Sequence, residues 1–258
     1  LVTDCTVGSD RRLASLIVEN SDGRHEITGR SFVDATGNAR LAQLSGERRS
    51  FTRNVLSLWA LEYEGSRQFG ADRLAAEINM RTLGNPERHF TAPTAKDASS
   101  YLLETRALLR NFYKNAYQNE SADRFSQWPL AVPTMPQFRK IAALQGQFTL
   151  DTGMNNREFD DSIGMVSDWR KSGPVWEIPF RTLLPQKTKG LFVAGRCISS
   201  IGDAWDVTRV IPPAALTGEA AGIAAALDAN GIPQSELLVA VQDAMEKSGN
   251  KLHLSEIQ

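Results

Sequence analysis

The sequence predicts an α/β fold interrupted by an α+β segment. Three observations carry that expectation. Strand-like runs stand near both ends of the 258 residues, the composition changes between residues 55 and 173, and a Gly/Ala-rich helical run follows Pro213.

The first two strands are expected at residues 13–18 and 25–34, on either side of Asn20-Ser21-Asp22-Gly23. Asp-Gly between two such runs signals a hairpin, because glycine takes positive φ without steric cost. The second run ends in Phe32-Val33-Asp34-Ala35-Thr36-Gly37, where two apolar residues feed a turn of small residues. Such a turn lets a ligand or another segment approach the backbone.

Residues 38–54 are polar and basic, and residues 55–173 then hold most of the Trp, Tyr and Phe. Two amphipathic helices are expected there, over residues 71–83 and 99–119, from apolar side chains at helical spacing. The stretches 84–98 and 128–136, punctuated by proline, read as loops. Residues 1–54 and 174–258 are accordingly expected to form the two parts of one domain, and 55–173 a second.

From Pro174 short strands return at residues 175–180 and 190–195. The latter shows no polar alternation, as expected of a strand buried on both faces. A helix opens at Pro212-Pro213 and runs to about residue 229, where Asn230-Gly231 stops it and Pro233 prevents continuation. A last helix is expected over residues 234–247.

The balance of 29 Lys and Arg against 30 Asp and Glu leaves no excess positive charge for nucleic acid or an anionic membrane. Residues 211–229 are interrupted by Glu219 and Asp228 and are too polar to span a bilayer. Two distant cysteines and three histidines supply no metal-ligand spacing, so no metal is expected. The absence of a basic-then-apolar leader pattern, with these cysteines, points to a reducing, cytoplasmic setting.

The helix after Pro213 is the most informative piece. Gly218, Ala221, Gly222 and Ala225 give it a stripe with almost no side chain. Either a flat group or a closely packed sheet fits such a stripe, and spacing alone leaves both open. Its N-terminus carries about half a positive charge, which favours an anionic or electron-accepting group.

Five segments in this order and approximate spacing carry a resemblance: Phe32 to Gly37, Trp176-Glu177-Ile178-Pro179-Phe180-Arg181, Leu191 to Ser199, Arg209-Val210-Ile211-Pro212, and Thr217-Gly218-Glu219-Ala220-Ala221-Gly222. The chain resembles FAD-dependent oxidoreductases with the glutathione-reductase-like flavoprotein fold, in the branch related to fumarate reductases. The resemblance implies an FAD/NAD(P)-binding, Rossmann-like domain carrying an inserted substrate or cap domain. It implies that Ala35, Thr36 and Gly37 approach FAD through backbone atoms, and that Gly195 and Arg196 lie near the ribityl and pyrophosphate region. Thr217, Gly218, Ala220 and Ala221 would lie under the flavin ring, where a helix N-terminus stabilises negative charge on reduction.

The resemblance also implies a small-molecule substrate, bound where the two domains meet. Arg209, just before the flavin-side helix, is the candidate for orienting an anionic substrate or polarising a carbonyl; a salt bridge to Asp203 or Asp206 explains it equally well. Arg139 and Arg181 are weaker substrate candidates, for which surface or interface pairing is the competing account. Cys197 reads as a buried, inert thiol.

Two departures from the family pattern matter. Ser167-Asp168-Trp169-Arg170 stands where many relatives carry a histidine, so no histidine acid or base is assigned. No G-x-G-x-x-G occurs in the sequence, so the unit that holds the pyrophosphate is missing. The chain is therefore expected to be the C-terminal part of a longer flavoprotein, completed by an N-terminal FAD-binding segment on the same or another polypeptide. The rival expectation is a non-catalytic binding module that keeps the cap domain and does not bind FAD alone. A hydrolase has no G-x-S-x-G elbow to support it.

Overall fold

The computed structural model describes residues 1–65, 78–91 and 94–257. It is a mixed α/β protein that divides into two compact units, Leu1–Phe51 with Ala142–Gln258, and Thr52–Ile141.

The first unit opens with an antiparallel sheet of β1 (Val2–Val7), β2 (Leu13–Asn20) and β3 (Gly23–Thr28), in that order. Gly23 takes φ 116° at the expected hairpin turn, a backbone conformation that a side chain would oppose. The expected strand 25–34 breaks after Thr28. Its last three residues form β4 (Phe32–Asp34), which pairs in parallel with β12 (Leu191–Val193), so that Asp34 stands opposite Val193. The short helix α1 (Arg40–Leu44) and strand β5 (Arg49–Phe51) follow, and β5 pairs antiparallel with β9 (Ala142–Leu144).

The antiparallel pair β10 (Ser162–Ser167) and β11 (Val175–Pro179) completes the strands of this unit. Its remaining helices are α3 (Gly202–Thr208), α4 (Ile211–Ala229) and α5 (Gln234–Lys247). The bounds of α4 and α5 follow from their punctuation. Pro212 and Pro213 open α4, Gly231 at φ 86° follows its end, and Pro233 precedes α5. One core joins Ile163, Trp176, Ile178 and Phe192 to Leu216, Ala220 and Ala224 of α4 and Leu237, Val241 and Met245 of α5. A second joins Leu13, Phe32, Leu41, Leu144, Leu191 and Val193.

This packing corrects the expected domain boundary at residue 173. Residues 142–173 lie in the first unit, because β10 pairs with β11 and Leu150, Phe159, Ile163 and Val166 enter the core that α4 closes.

The second unit is a sheet with the order β7-β6-β8, formed by β6 (Asn54–Glu64), β7 (Ile78–Phe90) and β8 (Gln127–Ala131). Helix α2 (Ala95–Gln118) accompanies it. The side chain of Thr94 caps α2 by accepting from the backbone N–H of Asp97 at 3.0 Å. Tyr101, Thr105, Leu109 and Tyr113 recur every fourth residue as its buried stripe, and Leu109 and Tyr113 pack with Leu58 and Ala60 of β6.

The expected helix over 71–83 is overturned where it is described, since residues 78–83 are strand; residues 71–77 lie outside the described residues. Local apolar spacing suits a helix there, but β7 pairs with β6 from Tyr63–Ile78 through Leu56–Asn85, and the ladder prevails. The expected loop 84–98 is likewise strand to Phe90 and helix from Ala95, and the expected connection 128–136 begins within β8. Pro86 is accommodated because the register skips residues 86–88, a bulge that asks no ladder bond of it.

Candidate cofactor site at the strand ends

The parallel pair β4–β12 brings two distant turns together. The backbone N–H of Ala194 donates to Asp34 O at 3.0 Å, extending the ladder past the strand ends and setting residues 35–37 beside residues 195–196. Ligands of open parallel sheets gather at the carboxyl ends of strands, where the chain leaves the sheet.

Asp34 shapes the first turn. It is 1% exposed; Oδ1 accepts from Thr36 N at 3.0 Å and Thr36 Oγ1 at 2.7 Å, and Oδ2 accepts from Ala42 N at 2.9 Å. The sequence reading assigned Asp34 no role. An Asp two residues before a Thr is the signal that was present, because a carboxylate readily takes the N–H two residues on. Ala35 and Thr36 are exposed, and the Thr36 hydroxyl also accepts from Arg40 N at 2.9 Å.

Gly37 takes φ 75°, and a Cβ there would stand 2.7 Å from Arg196 Nε. That close approach lets Arg196 Nε donate to Gly37 O at 2.8 Å. Gly195 takes φ 72°; the nearest atom to a Cβ there is that of Ala214, at 3.9 Å. Gly37, Gly195 and Arg196 are thus neighbours.

Helix α4 is tied to this cluster by Thr217, whose Oγ1 accepts from Gly195 N at 2.9 Å and donates to Pro213 O at 2.7 Å. Thr217 is 0% exposed, so it positions Gly195 rather than touching a ligand. Ala220 and Ala221 are also sealed in the core, and for them the close-packing account of the small-residue stripe holds. These three residues are withdrawn as cofactor contacts. Gly218 and Gly222 differ, because a Cβ on either would meet nothing within 4 Å. The stripe therefore splits between a packed edge and an open one.

The N-terminus of α4 offers fewer donors than a helix of ordinary sequence. Pro212 and Pro213 bring no N–H, and that of Ala214 is spent on Val210 O at 3.1 Å. What remains is chiefly the positive end of the helix dipole.

Arg209 adopts the salt bridge that the sequence left open. Its Nε lies 3.3 Å from Asp206 Oδ1, and its guanidinium stands 5.8 Å from the Trp169 ring centroid. Arg181 forks onto Asp161 at 2.8 and 3.0 Å, which raises its pKa and commits it structurally. The substrate role for Arg181 is corrected accordingly. Arg139 is exposed in the second unit, where its backbone N–H donates to Asn54 Oδ1 at 3.2 Å. Cys197 is fully buried, and burial, seconded by Asp34, pushes its thiol up to about 12; it is inert at neutral pH.

A groove of about 450 Å³ lies over residues 167–175; of its two cations, Arg170 and Lys171, the first is committed to Asp168 at 2.9 Å. Among the described residues no group of His, Cys, Asp and Glu could hold a metal ion, and no single helix is long and apolar enough to cross a membrane.

The fold and site define a mixed α/β protein with a glycine-lined cationic turn at the end of a parallel strand pair. Residues 138–236 match the family model of FAD dependent oxidoreductases, a segment that contains β12, α3 and all of α4. The matched segment is less than half of the chain. A solved structure from structural and functional studies of BexE, concerned with oxidation during BE-7585A biosynthesis, is similar at 10% identity and a TM-score of 0.42. The similarity covers 96% of this chain and 42% of that one, so the chain spans less than half the length of that protein. No curated protein matches the chain.

Proposed function

We propose that this chain is the C-terminal part of an FAD-dependent oxidoreductase of the glutathione-reductase-like fold, passing hydride or electrons between a small organic substrate and FAD. The observation that carries this reading is the meeting of Gly37, Gly195 and Arg196 beside the open Gly218 edge of α4, in a chain matched to the family over residues 138–236.

The residues present fit the cofactor. Gly37 and Gly195 hold left-handed backbone that permits close approach, and the space above Gly218 and Gly222 is clear. When bound, FAD supplies a two-electron acceptor ring. The chain's own part is to leave room for that ring, to face it with the positive end of α4, and to set the Arg196 charge beside Gly37. Arg209, already held by Asp206, is the substrate-orienting residue in this reading.

The pyrophosphate-holding strand–turn–helix is proposed to come from another segment, on the same or another polypeptide. Strand β4 pairs on one side only among the described residues, and Val33 on it is 36% exposed, so an edge is available to a further strand.

Reconstitution of the purified protein with FAD, together with a polypeptide supplying the fingerprint unit, is the test. A yellow protein that bleaches under a reductant is the expected result. A colourless protein that takes up no flavin would leave the non-catalytic binding module as the better account.

A further inference from the structure

Helices α2 and α5 each turn a charged row to solvent, and the two rows are of opposite sign. On α2 the buried residues Tyr101, Thr105, Leu109 and Tyr113 take one side. The other side carries Lys96, Leu103, Arg106, Arg110 and Lys114, all exposed, with Lys96 and Arg110 one heptad either side of Leu103. On α5 Leu237, Val241 and Met245 are buried, and Glu236, Val239, Asp243 and Glu246 are exposed. The single cation of α5 is Lys247, its last residue.

Neither row is neutralised by its own chain. Among the described residues none of Arg106, Arg110, Lys114, Glu236, Asp243 and Glu246 takes part in a salt bridge, whereas Glu104 of α2 is engaged by Arg88 at 2.8 Å. Like charges four residues apart, as at Arg106 with Arg110 and Arg110 with Lys114, weaken a helix. Asp243 and Glu246 repeat the conflict on α5 at a spacing of three. Each row also holds one large apolar side chain out in water: Leu103 is 70% exposed and Val239 60%.

A cationic row around a leucine and an anionic row around a valine complement each other, both in charge and in the placing of the apolar side chain. An apolar centre ringed by opposite charges is the make-up of a protein–protein contact, in which the charges steer the encounter and exclude wrong partners. The same bias runs through the sequence at large. Basic residues outnumber acidic ones in Thr52–Ile141, which holds α2, and acidic outnumber basic ones in the remainder, which holds α5. The chain thus carries both halves of a complementary pair.

We propose that the outer face of α2 in one copy docks on the outer face of α5 in a second copy of this chain, with Leu103 against Val239 and the cations of α2 against the carboxylates of α5. Because the two faces differ, the contact is head-to-tail, and a pair so joined leaves one face of each kind open to a further copy unless the assembly closes into a ring. A contact of one helix on one helix is small, so the association is weak and sensitive to salt. The proposal is independent of the flavin reading.

Sedimentation equilibrium of the 258-residue chain over rising concentration tests the contact. The mean mass is expected to climb above that of one chain at low salt and to return to it at high salt. Two charge-reversed variants, Arg106→Glu with Arg110→Glu and Asp243→Lys with Glu246→Lys, are each expected to lower the association constant about tenfold or more. An equimolar mixture of the two is expected to associate again, because each reversed face then meets its complement on the other variant. Wild-type protein that stays a single chain, association undiminished at high salt, reversed variants that associate as the wild type does, or a mixture that stays dissociated would each overturn the proposal. The four positions are exposed, and circular dichroism checks folding. Should a reversed pair unfold, Arg110→Gln and Asp243→Asn carry the test, each expected to weaken association about two- to fivefold, and no change in either overturns it.

Discussion

Arginine has opposite fates in two regions of the first unit. Beside β10 and β11, Arg170 lies on buried Asp168 at 2.9 Å with Asp203 at 3.1 Å, and Arg181 forks onto Asp161. At the ends of β4 and β12, Arg40 and Arg49 lie on a side-chain amide and a backbone carbonyl. The first arrangement closes on itself electrically and holds a hairpin in place. The second ties α1 and β5 to the turn after β4 through neutral acceptors. The difference teaches that in this fold an arginine's partner, rather than its presence in a family motif, separates scaffold from site.

The comparison breaks most sharply at Asp168. Asp168→Asn removes the buried partner of Arg170 and is expected to destabilise the protein by about 2–4 kcal/mol in chemical denaturation. The same pair sets a pH dependence. Hydrogen bonding to Arg170 holds the Asp168 carboxyl well below the ordinary carboxylate range. Its contribution is therefore complete above the unfolded value of roughly 3.9 and is lost as pH falls below that toward the folded value. Denaturation midpoints should fall more steeply below about pH 4 in the wild type than in Asp168→Asn; parallel curves would remove the pair from the account.

Gly37→Ala comes next. It forces a side chain into left-handed backbone and against Arg196, so a loss of about 1–2 kcal/mol is expected in chemical denaturation. An unchanged denaturation midpoint in Gly37→Ala would show that the turn accommodates a side chain beside Arg196.

A smaller effect, of opposite sign, is expected at Gly218. Because a Cβ there meets open space within a helix, Gly218→Ala should raise stability by about 0.5–1 kcal/mol. Gly218→Leu should still fold and should fail to take up FAD. Normal flavin uptake by the leucine variant would move the ring away from this edge of α4.

The smallest change is expected at exposed Arg139, where alanine should alter stability by less than about 0.5 kcal/mol. With FAD bound, a spectral shift produced by anionic substrates should persist in Arg139→Ala and vanish in Arg209→Ala. Equal loss in both would leave Arg209 with its structural role on Asp206 only.

Much of this was legible locally. The hairpin at Asn20 to Gly23, the buried strand ending at Val193, and the helices closed by Gly231 and Pro233 rest on signals carried within a few residues. Residues 78–83 were misread because their apolar spacing suits a helix, and only pairing with β6 decides for strand. Residues 142–173 were misassigned because Ile163 and Val166 find their core partners on helices more than forty residues later in the chain. Within the site, Gly37, Gly195 and Arg196 were named singly from motifs and their meeting came only with the pairing of β4 and β12, just as the distinction between Gly218 and its neighbours Thr217, Ala220 and Ala221 required knowing which side of α4 the core occupies.

What the amino-acid order settled alone was the punctuation and the chemistry on offer: where turns fall, where α4 and α5 start and stop, and that small residues line α4. These depend on φ preferences, missing N–H groups and side-chain size, which act between near neighbours. Tertiary structure alone decided which arginines meet carboxylates and which meet backbone carbonyls. That outcome depends on distances between residues as far apart in sequence as Gly37 and Arg196, and only the parallel pairing of β4 with β12 sets those distances.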